Sequence, residues 1–289
     1  MINQQTKTLF GAANVKENKT RAVIDDLPSY IEHIGMYAFS DCRALRQITI
    51  PDLVISIGEF SFSGCDSMES ITLPRNATTI DACAFIHCTK LKRINLEAAI
   101  NSIGVAAFDA CVNLETPSIY NTKIEVVHGN SFWGCDQFQT VEFPSTLKRI
   151  ENIAFMLCER LSTLIFNSDQ LTIEDGAFAN CENVRKLIFT KGKPVSISSK
   201  MFNEDGRTPD GKSFITYFYD TNGEIFPYPT LYYTAAYADE WAPNGETECN
   251  GYTIQQISQE ELDAILAEAR GEETPEINNS PTPATDQQI

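Results

Sequence analysis

Histidine is scarce: 289 residues hold three, His33, His87 and His128. They do not share a face of the pattern described below, so no histidine-built metal or general-base centre is expected. His128 is expected to be exposed. No run of 18 apolar residues occurs, which excludes a membrane-spanning helix. Nucleophile-elbow, Walker A, H-E-x-x-H and dinucleotide-binding glycine patterns are all missing. The opening segment, MINQQTKTLFGAANVKENK, has no apolar core of a secretory leader, so the default compartment is cytoplasmic.

Basic residues all but vanish beyond Phe202. Residues 203–289 carry 17 acidic and 3 basic side chains, a net of −14; residues 1–202 carry 22 and 19, a net of −3, and the two sum to the chain's −17. A negative chain repels phosphate backbones and anionic lipid, so nucleic acid and membrane insertion are excluded as partners. Paired carboxylates such as Asp25–Asp26, Glu174–Asp175 and Glu260–Glu261 read as solvated turns or a helix start. Three Asn-x-Ser/Thr triplets begin at Asn18, Asn76 and Asn278, a common pattern with little weight alone.

What the chain has in quantity is repetition. Phe39, Phe62, Phe85, Phe108, Phe132, Phe155, Phe178 and Phe202 follow one another at steps of 23 or 24 residues. Cys42, Cys65, Cys88, Cys111, Cys135, Cys158 and Cys181 keep the same step, and both series gain one residue at the same place, near Lys123. Three residues after each Cys stands Leu45, Met68, Leu91, Leu114, Phe138, Leu161 or Val184. Eight after it stands Ile50, Leu73, Leu96, Ile119, Phe143, Phe166 or Phe189. Five before each Phe stands Ile or Val, and Ala or Ser precedes every Phe but the last. The L-x-x-I-x-I spacing is that of a short strand with alternate residues inward. Pro51, Pro74 and Pro144 then end it, since proline cannot donate to the next rung. The A-F-x-x-C segment suits a turn or a piece of 3₁₀ helix. A unit this short cannot close its own core, so the units must stack.

The phrase IGEFSFSGCDSMESITLP, Ile57 to Pro74, resembles the repeat of the BspA-like leucine-rich-repeat family, roughly I-G-x-x-A-F-x-x-C-x-x-L-x-x-I-x-I-P. The likeness covers residues 22–202, some seven to eight units. Glu97, Tyr120, Asn167 and Thr190 depart from the family's final Pro. The resemblance implies a right-handed leucine-rich-repeat solenoid, mainly short β-strands with 3₁₀ turns, whose strand-lined concave face binds other molecules. It also implies a surface or secreted alternative for the compartment, since such proteins are often adhesive.

The Phe column is then the spine of the core. The Cys column admits small buried hydrophobes, rung-to-rung disulfides or a metal ladder; parallel side chains and an odd thiol favour the first. Cys83 and Cys249 lie outside it, Cys83 in the convex packing. No metal and no cofactor is expected.

The outward strand residues are the candidate partner site: Gln47 and Thr49, Ser70 and Thr72, Arg93 and Asn95, Thr116 and Ser118, Thr140 and Glu142, Thr163 and Ile165. Hydroxyls and amides dominate, which suits a polar protein partner but also merely suits exposed strands. Ile165 and Ile188 are apolar neighbours on this face, either a contact patch or a seat for the C-terminal segment.

After Phe202 the period breaks, and residues 203–271 read as an irregular α/β cap. A polar loop leads to a hairpin turning at Asn222-Gly223. Tyr232, Tyr237 and Trp241 are expected to cover the open end of the stack. Ser258 and Glu261 form a capping box for a helix ending at Arg270 and Gly271, with Leu262, Ile265 and Leu266 on one face. That helix docks on the solenoid or on a partner. Residues 1–21 read as a flanking segment and 272–289 as a disordered acidic tail. The expected function is non-catalytic protein binding through the strand face. The alternative is a structural subunit or surface adhesin in a larger assembly, such as a surface layer or viral particle, docked through its acidic C-terminal region.

Overall fold

The computed structural model describes residues 2–11, 19–96, 99–198, 200–202 and 229–272, with the backbone of 218–219 and 225–226. The chain is a parallel-strand solenoid of about nine turns. Each turn contributes to two ladders. One runs through the Ile of the I-G phrase: Thr8–Leu9, His33–Ile34, Ser56–Ile57, Thr79–Ile80 and Ser102–Ile103 pair in parallel, with Ile2–Asn3 antiparallel at the edge. It resumes over Val126–Val127, Arg149–Ile150, Thr172–Ile173 and Ser196–Ile197. The interruption falls in a 24-residue unit, beside Lys123.

The second ladder is the expected L-x-x-I-x-I strand. Val23–Ile24 pairs with Gln47–Ile48, and Ser70–Ile71 with Arg93–Ile94. Thr140–Phe143, Thr163–Phe166 and Lys186–Phe189 then pair in one register. The strand expected at Leu114–Ile119 does not form. Pro117 stands where other units carry Ile48, Ile71 and Ile94, and it has no N–H to donate. The chain there turns into a 3₁₀ segment, Ile119–Asn121, and the Thr116 hydroxyl takes the next unit's backbone N–H, from Gln139, at 3.2 Å.

The A-F-x-x-C turns supply a third line of bonds. Phe39 N–H donates to the Ser61 carbonyl at 2.7 Å, Phe62 to Ala84 at 2.8 Å and Phe85 to Ala107 at 2.8 Å. These donors point toward the following unit, whereas the ladder donors point back, as Gly58 N–H to the Ile34 carbonyl at 2.8 Å. Each unit is thus stapled in both directions. Gly58 is needed for that approach: a Cβ there would lie 2.6 Å from the Ile34 oxygen.

The core is two aromatic files. Phe39, Phe62, Phe85, Phe108, Phe132, Phe155 and Phe178 stack at centroid spacings of 5.1–5.5 Å, and Phe202 follows at 6.0 Å. Phe143, Phe166 and Phe189 form the second file, at 5.1 and 4.8 Å. Rung spacing sets this repeat, so each ring meets its own copy. The column cysteines are buried free thiols. From Cys65 onward each points back one unit: Cys65 Sγ donates to the Phe39 carbonyl at 3.3 Å, Cys88 to Phe62 at 3.1 Å and Cys111 to Phe85 at 3.2 Å. Cys135, Cys158 and Cys181 repeat the contact. A thiol therefore fills a small apolar hole and also satisfies a backbone oxygen.

The stack does not stop where the period stops. Thr230–Thr234 pairs onto Lys186–Phe189, Tyr252–Ile257 pairs onto it in turn, and antiparallel Glu248–Cys249 closes the edge. Trp241 sits on Phe189 at 4.9 Å and on Tyr233 at 5.9 Å, and Tyr252 covers Phe202 at 6.3 Å. Trp241 caps the end as expected, and Tyr237 packs partly buried beside it. Tyr232 does not: it faces the strand-lined side, and Tyr233 and Tyr252 take its place. The expected turn at Asn222-Gly223 lies outside the described residues, although Phe218–Tyr219 and Ile225–Phe226 pair antiparallel on either side. The polar loop from residue 203 and the tail from residue 273 also lie outside them. No described helix is long and apolar enough to cross a membrane.

Candidate functional site

Strand pleat puts every second residue of the second ladder on one open face. In the first four units that face is polar and accessible. Gln47, Thr49, Ser70, Thr72, Arg93 and Ser118 are exposed, and Asn95 and Thr116 are half-buried. Between the rungs Gln47–Ile48 and Ser70–Ile71 the ladder is interrupted, and two clefts straddle the gap. The larger, of about 810 Å³, is lined by Gln47, Thr49, Thr72 and Asn95 together with Asp52, Arg75 and Asn76 from the turns after the prolines. The smaller, of about 310 Å³, is lined by Arg46, Gln47, Glu69, Ser70 and Thr72. Asn95 is held rigidly. Its side chain accepts from Leu73 N–H at 2.7 Å and donates to the Leu73 carbonyl at 3.1 Å, standing in for a rung of the ladder.

The later units tell a different story. The column that reads Thr49, Thr72, Asn95, Ser118 continues as Glu142, Ile165, Ile188. The C-terminal helix, Gln259–Arg270, lies on that continuation. Thr140 and Thr163 remain half-open beside it. Glu142 is 6% exposed and Ile165 and Ile188 are 0%. Two candidate residues, Glu142 and Ile165, are therefore not available to a partner. The apolar face expected of the helix is the one used: Leu262 is buried against Ile165, Ile188 and Ile257, with Ile265, Leu266 and Tyr232 packed around them. Chain geometry fixes this outcome, because Ile257 ends a rung and Ser258 immediately caps the helix. Its hydroxyl accepts from Glu261 N–H at 3.1 Å, while the Glu261 carboxylate accepts from Ser258 N–H at 2.8 Å.

Arg270 locks the far end of the helix. Its guanidinium donates to both Glu142 carboxylate oxygens, at 2.9 and 2.7 Å, and rests on the Tyr120 ring at 5.1 Å. Asn167 donates to the same carboxylate at 2.8 Å. The carboxylate holds the guanidinium more firmly protonated than usual. Arg270 lies 128 residues from Glu142 and has no counterpart in the repeat, so sequence periodicity did not single it out.

The remaining candidates stay apart. His33 meets Ser56 at 2.7 Å, and His128, half-buried rather than exposed, meets Glu151 at 3.2 Å. Among the described residues no group of three or more His, Cys, Asp or Glu is placed to hold a metal ion. Burial pushes the thiols of Cys65, Cys88, Cys111, Cys135 and Cys158 well up, which makes them poor nucleophiles.

The BspA-type leucine-rich-repeat region model matches the sequence in six copies, over residues 22–135 and 119–207. Among solved structures, a leucine-rich repeat protein from Bacteroides ovatus ATCC 8483 is 23% identical with a TM-score of 0.55, over 86% of this chain and 64% of that one. This chain thus spans under two thirds of that protein's length. The leucine-rich repeat protein of T. pallidum is 23% identical with a TM-score of 0.54, over 64% of this chain and 86% of its own. Both likenesses concern the fold. No curated protein matches the sequence.

Proposed function

The chain belongs to the BspA-type leucine-rich-repeat family, and from that premise we propose that it is a non-catalytic protein-binding module whose site is the strand-lined face of its first four units. One observation carries the reading. The face is left open and polar from Gln47 to Ser118, with a cleft of about 810 Å³, and is sealed by the chain's own helix from Glu142 onward. An open, rigid row of hydroxyls and amides meets another protein's polar groups with little ordering to be done. The partner is another protein whose surface is polar rather than greasy. The assembly-subunit alternative docks through the acidic cap, the C-terminal helix and the tail; of these, the helix has its apolar side already engaged within this chain.

The test pairs two variants with one readout. Thr72→Arg and Thr49→Arg place bulk in the cleft at exposed positions, so the fold, followed by circular dichroism, stays intact. Capture of partner from the native source should fall strongly in both. Unchanged capture by both variants would remove the strand-lined cleft from consideration.

A further inference from the structure

A second surface differs from the strand-lined face in place and in chemistry. The two positions ahead of each A-F turn read Met36-Tyr37, Glu59-Phe60, Ala82-Cys83 and Val105-Ala106 in the first units. They then read Gly129-Asn130, Asn152-Ile153 and Asp175-Gly176. The strip is thus mostly apolar in the first half of the solenoid and largely polar in the second. Tyr37 stacks on Phe60 at 5.0 Å and 9°. Phe10 continues the strip over Gly35, whose added Cβ would meet the ring at 2.6 Å. The side chains are wet: Phe10 is 40% exposed, Met36 47%, Tyr37 50% and Val105 48%. A run of exposed apolar side chains of this kind on a folded surface marks a contact site.

Beside the strip runs a groove of about 570 Å³ whose lining includes His33, Met36, Glu59 and Asp81, and neither lysine nor arginine. Asp109 lies close by, since it and Glu59 both act on the Cys83 thiol. Burial, then the Glu59 charge, raises Asp81 above the usual carboxylate range, and burial raises Asp109. Among the described residues none of these three carboxylates makes an ion pair. Partly dehydrated negative charge, offset only at Asp109 by the nearby His87, next to partly exposed aromatic rings is complementary to one kind of ligand.

We propose that this strip and groove form a second docking surface for a basic segment of another protein, one in which lysine or arginine is interleaved with apolar side chains. The cations would face Glu59, Asp81 and Asp109, and the apolar groups would cover Met36, Tyr37 and Val105.

The probe is a short capped, fluorescein-labelled peptide alternating Lys with Leu and Trp, set against the same peptide with Glu for Lys, read by anisotropy. The lysine peptide should bind saturably and the glutamate peptide should not. The double variant Glu59→Gln/Asp81→Asn should weaken binding roughly tenfold, and Met36→Ser/Val105→Ser by a similar factor. All four positions are partly or fully exposed and lie outside the core, so these variants fold. Thr72→Arg should leave peptide binding unchanged, which separates this surface from the strand-lined cleft. Equal binding of both peptides, undiminished binding by either double variant, or lack of saturation would overturn the proposal. So would concentration-dependent self-association abolished by Met36→Ser/Val105→Ser, which would make a second copy the occupant.

Discussion

Arg270 and Glu142 are joined by two hydrogen bonds, at 2.9 and 2.7 Å, across 128 residues of chain. The carboxylate is almost wholly covered and the guanidinium is not, with side-chain exposures of 4% and 29%. The two single substitutions are therefore unequal. Arg270→Ala leaves a covered carboxylate whose remaining side-chain donor is Asn167, and should destabilise by about 3 kcal/mol. Glu142→Gln leaves a neutral amide beside a cation that can turn to water, and should cost about 1–2 kcal/mol. Urea unfolding of both single variants and the double variant measures it. Equal small losses would mean that the pair does not hold the helix down.

Ser61 is fully buried, and its hydroxyl has no hydrogen-bond partner among the described residues. The equivalent positions hold Ala38, Ala84 and Ala107, while the Ser131 hydroxyl donates to the Gly104 carbonyl at 3.1 Å. Ser61→Ala removes an unmet polar group without opening a void, so it should stabilise by about 1 kcal/mol. A rise in Tm of roughly 2–4 °C is expected for a chain of this size. Ser131→Ala should not share the gain. A fall in Tm for Ser61→Ala would mean that the hydroxyl has a partner after all.

Which parts of this molecule were legible in the sequence follows from what repeats. Side chains that meet their own copies, such as Phe62 on Phe85, leave a period of 23 and are read at once. The spacing of the thiol column implies burial, but its role as donor to the preceding Phe carbonyl leaves no mark on the pattern. The ladder through Ile34, Ile57 and Ile80 does not read as strand, because two-residue rungs show no alternation. The break at Pro117 is hidden because the flanking Leu114 and Ile119 keep the pattern. The burial of Glu142 depends on a helix far along the chain, and no local pattern records such a contact. Ile165 and Ile188 were the exception: two apolar residues in a polar column marked where the helix lands.

Ala110 has φ +57°, and its column partners Asp41, Gly64, His87, Gly134, Leu157 and Asn180 all have φ between +56° and +68°. The turn ahead of each Cys imposes this left-handed conformation, which disfavours any Cβ by roughly 1–2 kcal/mol. Glycine usually destabilises through the entropy of the unfolded chain, by roughly 0.5–1 kcal/mol. Here relief of strain should win, and Ala110→Gly should raise stability by about 0.5–1 kcal/mol. Thermal unfolding decides it, with a lowered Tm as the adverse result.

The cysteine column should make the fold sensitive to alkali. Burial raises the Cys42 thiol to about 11 and pushes Cys65, Cys88, Cys111, Cys135 and Cys158 well up. In the unfolded chain these thiols lose their protons near pH ~8.5. Above that pH the unfolded state binds fewer protons than the folded one, so stability falls as pH rises. The contribution is fully present below pH ~8. Each thiol takes away about 1.4 kcal/mol per pH unit once the unfolded form has ionised, and Cys42 ceases to add to the slope near its folded value of about 11. Lysine and tyrosine also titrate in this range, so the comparison must be internal. Cys111→Ala should be less stable than the parent at pH 7, through the lost methylene-sized packing and the lost hydrogen bond to Phe85. Between pH 9 and ~10.5 its decline should be shallower by about 1.4 kcal/mol per pH unit, so the two stability curves converge. Parallel curves over that range would show that the Cys111 thiol ionises as easily inside the solenoid as outside it.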